Sequence, residues 1–500
     1  MKTGFVAACS AVLLGLVSGC NVGPDYHRPA ALGTNSMPAA FSGSETNAGE
    51  WKTANPAANL PRGNWWTVFN DQELDRWEAL ATANNQQLAA ALARFDQASA
   101  SVRIARAGEW PQVELDPAYT RQRASFNLPQ NGHPAGLSPT YNTFTMQLAA
   151  GWEVDLWGRV RRQVQSARSQ LLASADDLES AKLAIQAELA TDYFTLRALD
   201  AQYELLLRTI EAYQRSLDLT VNRRTGGVAS DLDVSQAQSQ LRITQAELPA
   251  VALERAKLQH AIATLCGVPA TGFALAPVHS EQAPLPQIPL SLPSELLERR
   301  PDVAAAEQRM AAANAQIGVA TAAFYPRVRF NGLAGFQSID ASSWFDWPSR
   351  FWAFGPSIQL PLFTGGLNRA ELAFAKAGYR ETVASYRQNV LGAFQEVEDQ
   401  LAAQHLLETQ LEAETSALEA AQHTVDIANN RYKAGLVTYL EVATAQSAAL
   451  SIERTVVQLR GDKQVAAVGL IRALGGGWQA GEQASLGNPS TPVPTKSASR

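Results

Sequence analysis

The strongest constraint on this chain is that it repeats itself. Residues 223–238 return as 431–446, 208 positions later. Arg223/Arg431, Gly227/Gly435, Ser230/Thr438, Leu232/Leu440, Val234/Val442 and the closing Ala-Gln pairs stay in register. Leu265-Cys-Gly267 matches Ala473-Leu-Gly475 at the same offset, and Ala107 to Leu115 returns as Ala322 to Phe330, each with an aromatic-Pro pair inside. Helical low complexity imitates alanine and glutamine, but not Gly, Pro and Arg at matched places. The fold must therefore be one that two copies of a single unit can build.

Each copy reads as helix, two strands, long helix, turn, helix. The first repeat is placed at 73–285 and the second at 286–478. A helix over 73–108 stops before Trp110-Pro111, because a residue preceding proline is driven out of the helical region. Helix 159–222 carries Leu189, Tyr193, Leu196, Leu199, Tyr203, Leu206, Ile210, Tyr213 and Leu217. Those steps of three and four make a coiled-coil seam. It would be about 96 Å long, and its counterpart 366–431 about 99 Å. Helices 230–265, 294–322 and 437–474 complete the set. Two shorter helices end to end match one long one, as a tall helical wall requires.

Between the helices the period changes to two. Phe144, Met146, Leu148, Ala150, Trp152, Val154 and Leu156 alternate with Thr143, Thr145, Gln147, Ala149, Gly151, Glu153 and Asp155. Trp352, Phe354, Pro356, Ile358, Leu360 and Leu362 do the same in the second copy. Shorter alternations give strands near 112–126, 141–156, 327–339 and 351–363, joined by outer loops at 127–139 and 341–350. Tryptophans 110, 152, 157, 344, 347 and 352 crowd the strand ends, as at membrane interfaces. Four strands cannot close a membrane barrel, which needs at least eight, and an open edge in lipid leaves backbone groups unpaired. The chain must oligomerise; two, three or four copies each satisfy this arithmetic.

Length alone would suggest about three domains, but the repeat replaces that with an address, two copies of one unit and polar ends. The 500 residues are 46% apolar and 18% charged with net charge −6. That excludes a disordered chain, and the mild acidity gives no pull toward nucleic acid. Lys2, the apolar run Phe5 to Val17 and the small residues after it form a signal peptide over 1–19, too short to span a bilayer. Val17-Ser-Gly-Cys20 resembles the bacterial lipobox, which makes Cys20 the lipidation site and the new N-terminus. Position 21 is Asn rather than Asp, which favours sorting to the outer membrane. Segment 20–72 is then the lipidated N-terminal segment, and 479–500 a polar tail. Cys9 is removed with the signal, Cys20 is acylated, and Cys266 remains alone, so no internal disulfide forms.

Four separated motifs now carry a resemblance: the lipobox followed by Val22-Gly-Pro-Asp-Tyr-His-Arg-Pro29, Leu297-Glu-Arg-Arg-Pro-Asp-Val-Ala304, Arg431-Tyr-Lys-Ala-Gly435 and Ala473-Leu-Gly-Gly-Gly-Trp478. Together they resemble the outer-membrane efflux lipoproteins, the NodT-type branch of the TolC-like outer-membrane factors, over residues 17 to 478. The resemblance implies a mixed α and β membrane protein. Its homotrimer would form a 12-stranded β-barrel continuous with a periplasmic coiled-coil barrel. It also implies a periplasmic adaptor and an inner-membrane pump, usually of the resistance-nodulation-division class, as partners. The expected function is a duct exporting drugs or other small toxic compounds.

In that family the helix turns face the adaptor. The matching positions are Arg223, Gly227 and Ser230, with Arg431, Gly435 and Thr438. A plainer reading coexists: both glycines end a helix in the left-handed conformation, and Ser230 and Thr438 cap the next. The closed end is pinched just after the second turn, where relatives read Tyr-Leu-x-Val-Leu-Asp-Ala-Gln. Here Leu440 is retained but Thr444 replaces the Asp, while the first copy offers Leu232 and Gln236. Glu441 supplies charge there only if it faces inward.

Histidines 27, 133, 260, 279, 405 and 423 show no ligand spacing. Asp176-Asp177 and Glu396/Glu398/Asp399 read as solvated helix faces, and no phosphate loop, dinucleotide fingerprint or nucleophile elbow is present. No cofactor, metal or enzymatic activity is expected. A type I secretion duct and a lipid-anchored coiled-coil scaffold stand as alternatives. The scaffold leaves the period-two segments unexplained.

Overall fold

The computed structural model describes residues 21–32, 63–123, 140–277 and 299–476. The signal peptide, Cys20, the loop 127–139 and the tail lie outside them. In chain order the elements are α1 (Gln72–Asn84), α2 (Gln86–Ala107), β1 (Gln112–Arg123), β2 (Thr140–Val154), α3 (Arg159–Thr225), α4 (Asp231–Leu265), α5 (Pro301–Ala322), β3 (Arg327–Ser338), β4 (Arg350–Gln359), α6 (Leu367–Lys433) and α7 (Tyr439–Ala473). The two long helices, α3 and α6, each run for 67 residues.

Three expected elements are corrected, the first being the helix placed at 294–322, which breaks at the non-helical Arg300 so that α5 starts at Pro301, a favoured first helical residue. The helix placed at 73–108 is two helices, divided at Asn85. Its Oδ1 accepts from the backbone N–H groups of Gln87 and Leu88 at 2.8 and 3.1 Å, so it caps α2 rather than continuing α1. Its Nδ2 donates to the carbonyl of Leu265 at 2.8 Å, which fixes the break to the end of α4. The strand expected at 351–363 ends at Gln359. Pro361 has no N–H to give a ladder, and Leu360 and Leu362 leave the sheet with it.

The described residues divide into two compact units, which cut across the two repeats. One draws on described residues 21–32, 93–123, 140–175 and 305–388, and the other on 63–92, 176–277, 299–304 and 389–476.

The first unit holds a four-stranded antiparallel sheet in the order β1-β2-β3-β4. Its register aligns Leu115, Leu148, Ala334 and Trp352 in one row and Val113, Ala150, Gly332 and Phe354 in the next. Side chains alternate across a pleat, so one face is apolar from edge to edge. Trp152, Phe330 and Phe354 stack along it with centroids 6.4 and 6.2 Å apart. The opposite face carries Glu114, Asp116, Gln147, Thr145, Asn331 and Gln337. A sheet with its apolar side outward and polar side inward is a segment of a membrane barrel wall.

Beside the sheet, residues 21–32 form a strap. Val22 donates its N–H to the Trp157 carbonyl at 3.1 Å. The Arg162 guanidinium, 2% exposed, donates to the carbonyls of Val22 and Gly23 and pairs with Asp25 at 3.0 Å. Asn314 holds the carbonyl of Pro24, and Arg28 reaches Tyr386 and Glu307 at 3.2 and 3.1 Å. The strap lies flush where two glycines meet: a Cβ on Gly23 would sit 2.5 Å from the Gly318 Cα, and a Cβ on Gly318 would sit 2.9 Å from three atoms of the Arg162 side chain.

The second unit has a conventional core of Trp65, Trp66, Phe69, Leu74, Trp77, Leu189, Tyr193, Leu196 and Ile262. Asp71 caps α1 and accepts from the Tyr193 hydroxyl at 2.7 Å. Arg300, from the Arg-Pro-Asp motif, pairs with Asp302 and Glu396 and donates to the carbonyl of Ala473, tying the start of α5 to α6 and the end of α7. Cys266 is buried, and burial pushes its thiol up to about 12.

Candidate functional site

The duplicated turns lie together in the second unit, and their backbone is the same in both copies. At the end of α3, Gly227 has φ +75° and donates to the carbonyl of Arg224, while Val228 donates to Arg223, both at 2.9 Å. At the end of α6, Gly435 has φ +77° and donates to Tyr432, while Leu436 donates to Arg431, again at 2.9 Å. This is the Schellman ending, which needs a left-handed residue and hence favours glycine.

The caps that follow differ between the copies. Ser230 and Asp233 form a full capping box on α4. Thr438 occupies the equivalent place before α7 but makes no side-chain cap, which corrects the sequence reading. The reason lies across the turn. The first N–H of α7, on Tyr439, is taken by Asp233 Oδ1 at 3.1 Å. The N–H of Glu441 goes to the Thr438 backbone carbonyl instead of its hydroxyl. One carboxylate thus starts two helices, with Oδ2 serving α4 and Oδ1 serving α7. Burial pushes the Asp233 carboxyl up, but the hydrogen bonds from Ser230 and Tyr439 and the charge of Arg223 outweigh it. The group is held below its ordinary value.

Arginines have diverged in the same sense. Arg223 crosses to the second copy, donating to the Lys433 carbonyl at 2.8 Å and lying 4.8 Å over the Tyr432 ring. Its counterpart Arg431 stays within its own copy, 3.6 Å from Glu441 with both side chains half exposed. First-copy side chains therefore clamp the two hairpins, whereas their second-copy equivalents pair with each other at the surface. Under the clamp, Tyr432, Tyr439, Ala237, Ala428 and Val442 form a small buried cluster. Tyr432 donates to Thr220 at 3.3 Å and packs edge-on against Tyr439.

Four apolar side chains remain outside the cluster at matched positions: Val228 and Leu436, then Leu232 and Leu440, between 55% and 71% exposed. Leu440 and Thr444 share a helix face, and so do Leu232 and Gln236. The Thr444 hydroxyl donates to the Leu440 carbonyl at 2.8 Å, so it is turned onto its own helix. Glu441 is engaged by Arg431. Sequence reasoning singled out the turn residues but missed Asp233 as part of the clamp and Tyr432 and Tyr439 as the cluster beneath it. The Ser-x-x-Asp spacing signalled the local half of Asp233's role, while its reach to Tyr439 is a tertiary fact. Among the described residues, no three His, Cys, Asp or Glu side chains gather as a metal site, and no helix is long and apolar enough to cross a membrane.

A barrel-wall sheet joined to long helices that end in clamped turns defines an outer-membrane channel subunit. The comparisons with known proteins agree. The family model for outer membrane efflux proteins matches residues 77–268 and 292–476. The antibiotic efflux pump outer membrane protein ArpC of Pseudomonas putida is 32% identical over 484 residues, covering 96% of this chain and 98% of that one. The cation efflux system protein CusC of Escherichia coli is 30% identical over 463 residues, covering 93% and 97%. The solved outer-membrane channel OprN superposes with a TM-score of 0.80 at 30% identity, covering 92% of this chain and all of that one. The chain belongs to the outer membrane efflux protein family. Its fold class is that of the trimeric channels in which each chain supplies four barrel strands and a share of a helical barrel. Its place is the outer membrane with a periplasmic extension, and its function is that of an efflux duct.

Proposed function

We propose that three copies of this chain form the outer-membrane duct of a tripartite efflux system, passing small toxic compounds that an inner-membrane pump of the resistance-nodulation-division class delivers through a periplasmic adaptor. The observation that carries this is the sheet. One face is apolar across all four strands from the Val113 row to the Leu115 row, and the sheet ends in two edge strands that only further copies can pair. The cargo is set by the pump: relatives of similar identity are named for antibiotics in one case and cations in the other.

Cys20 is the acyl-bearing N-terminus in this reading. The strap supports it, because Val22 is fixed to Trp157 just beyond the end of β2. The adaptor meets the turns at Arg223, Gly227, Ser230, Arg431, Gly435 and Thr438. Leu440, with Leu232, Gln236, Glu441 and Thr444, narrows the periplasmic mouth. Repeats at 73–285 and 286–478 supply one hairpin each.

Imaging of the detergent-extracted full chain tests the duct. A hollow trimer longer than about 100 Å, the reach of one 67-residue helix, is expected. A solid rod or a monomer would sink the proposal. Mass analysis of the mature N-terminus tests the anchor, and an unmodified Cys20 would remove it.

A further inference from the structure

A sheet with two free edges limits its own seam. In the trimeric barrel, β4 of one copy lies antiparallel to β1 of the next. The faces must match, since a one-residue slip would turn the apolar side into the lumen. On β4 the lipid-facing residues are the even-numbered ones from Arg350 to Ile358, and on β1 the odd-numbered ones from Val113 to Arg123. β4 has 10 residues and β1 has 12. Only two face-matched registers set every residue of β4 opposite a residue of Gln112–Arg123. One places Arg350 opposite Arg121, and the other opposite Arg123.

Either register gathers three guanidiniums on the lipid-facing side of the seam, at the end of the sheet remote from the helices. Like charges directly opposite in a sheet repel, and arginine cannot shed its charge. Among the described residues, neither Arg121 nor Arg123 has an ion-pair partner, and both are exposed. Arg350 is held in place, 4.0 Å over the Trp347 ring with Nη1 donating to the Trp347 carbonyl at 2.8 Å. Asp340 and Asp346 lie in the turn before β4, and neither forms an ion pair with Arg350 among the described residues. Tyr119, Phe144 and Trp344 make an aromatic row at the same end, with centroids 5.0 and 5.5 Å apart, the level at which aromatic rings meet lipid headgroups.

We propose that the three arginines at each seam form a binding site for the phosphate groups of the phosphorylated glycolipid of the outer leaflet. Guanidinium forks match phosphate oxygens in pairs, and an anion between them converts a repulsive seam into a bridged one. The inference rests on the trimeric-barrel reading.

The test uses the full chain, purified as its trimer and exposed to diphosphorylated lipid A, to the same glycolipid stripped of phosphate, and to phosphatidylglycerol vesicles. Native mass spectrometry counts what is retained. The expected result is up to three diphosphorylated molecules per trimer, with at least tenfold weaker retention of the other two lipids. The combined variant Arg121→Gln, Arg123→Gln, Arg350→Gln should lose that preference, and each single change should reduce it. Equal retention of the phosphorylated and stripped glycolipids by the wild-type trimer overturns the site, as does undiminished preference in the triple variant. The stripped-lipid comparison needs no variant, so it decides the matter even where the triple variant fails to assemble. A wild-type chain that never forms a trimer overturns the barrel as well, and size-exclusion chromatography separates that failure from loss of the lipid site alone.

Discussion

The Asp233 carboxylate, on the first turn of α4, accepts the backbone N–H of Tyr439 at the start of α7 across 3.1 Å of buried space. The same carboxylate closes the capping box with Ser230. A single side chain therefore sets the starting points of both shorter helices at the tip. Asp233→Ala removes both caps, at about 1 kcal/mol each. Hydrogen exchange in the first turns of α4 and α7 should accelerate, and the duct should leak more in planar bilayers. Unchanged exchange at Tyr439 would show that the contact fixes nothing.

The same clamp has a predictable response to acid. The folded Asp233 carboxyl lies below its ordinary value. Its contribution is therefore complete above the unfolded carboxylate value and lost only as pH falls through the lower, folded one. Leak through the wild-type duct should stay flat from about pH 5 to 8 on this account. A rise beginning near neutrality would point to another group.

Glu78 behaves in the opposite way. It is fully buried in the second unit's core, neither carboxyl oxygen has a hydrogen-bond partner among the described residues, and burial together with the Asp75 charge pushes it up to about 9. The folded chain then holds a proton that the unfolded chain releases near its ordinary value. Stability is highest at low pH and falls as pH rises toward 9. Glu78→Gln should flatten this dependence and stabilise the protein at pH 7.5 by on the order of 3 kcal/mol. Thermal melts of both proteins at pH 5 and 8.5 measure it. Parallel pH curves would contradict the assignment.

Both duplicated turns were legible in the sequence because glycine at a helix end has a local cause that leaves a local mark. The strand faces were legible for the same reason, since a period of two is written residue by residue from Phe144 to Val154. The break at Asn85 was not, because Asn85 stands inside an alanine-rich run that reads as one helix; its cap on Gln87 and Leu88 is local, but its anchor is the Leu265 carbonyl, 180 positions away. The divergence of Arg223 from Arg431 was equally hidden. The two align perfectly in the repeat, and only the packing of one hairpin on the other gives them different partners. Symmetry of sequence thus overstated symmetry of contacts, most visibly at Thr438.

The strap offers a test of how the N-terminal segment is held. Arg162 is nearly inaccessible and donates to two strap carbonyls besides pairing with Asp25. Arg162→Ala leaves those carbonyls unsatisfied, at about 1–3 kcal/mol each where they stay buried. Limited proteolysis should then cut within residues 21–32 at least tenfold faster, while the turn end keeps its hydrogen-exchange pattern. Resistance equal to wild type would mean that Asn314 and Arg28 suffice.

Leu440 separates gating from stability. It is 55% exposed in the single chain, so Leu440→Ala forfeits little burial, and a surface change of this kind typically falls within about 0.5 kcal/mol. Val442, on the same helix turn, is 1% exposed and belongs to the Tyr432–Tyr439 cluster, where truncation to Ala should cost about 2 kcal/mol. If Leu440 narrows the periplasmic mouth, Leu440→Ala should raise passive entry of bulky antibiotics several-fold with the melting temperature unchanged. Val442→Ala should instead lower the melting temperature. A leak that tracks loss of stability across both variants would assign the effect to loosening of the tip and remove Leu440 from the constriction.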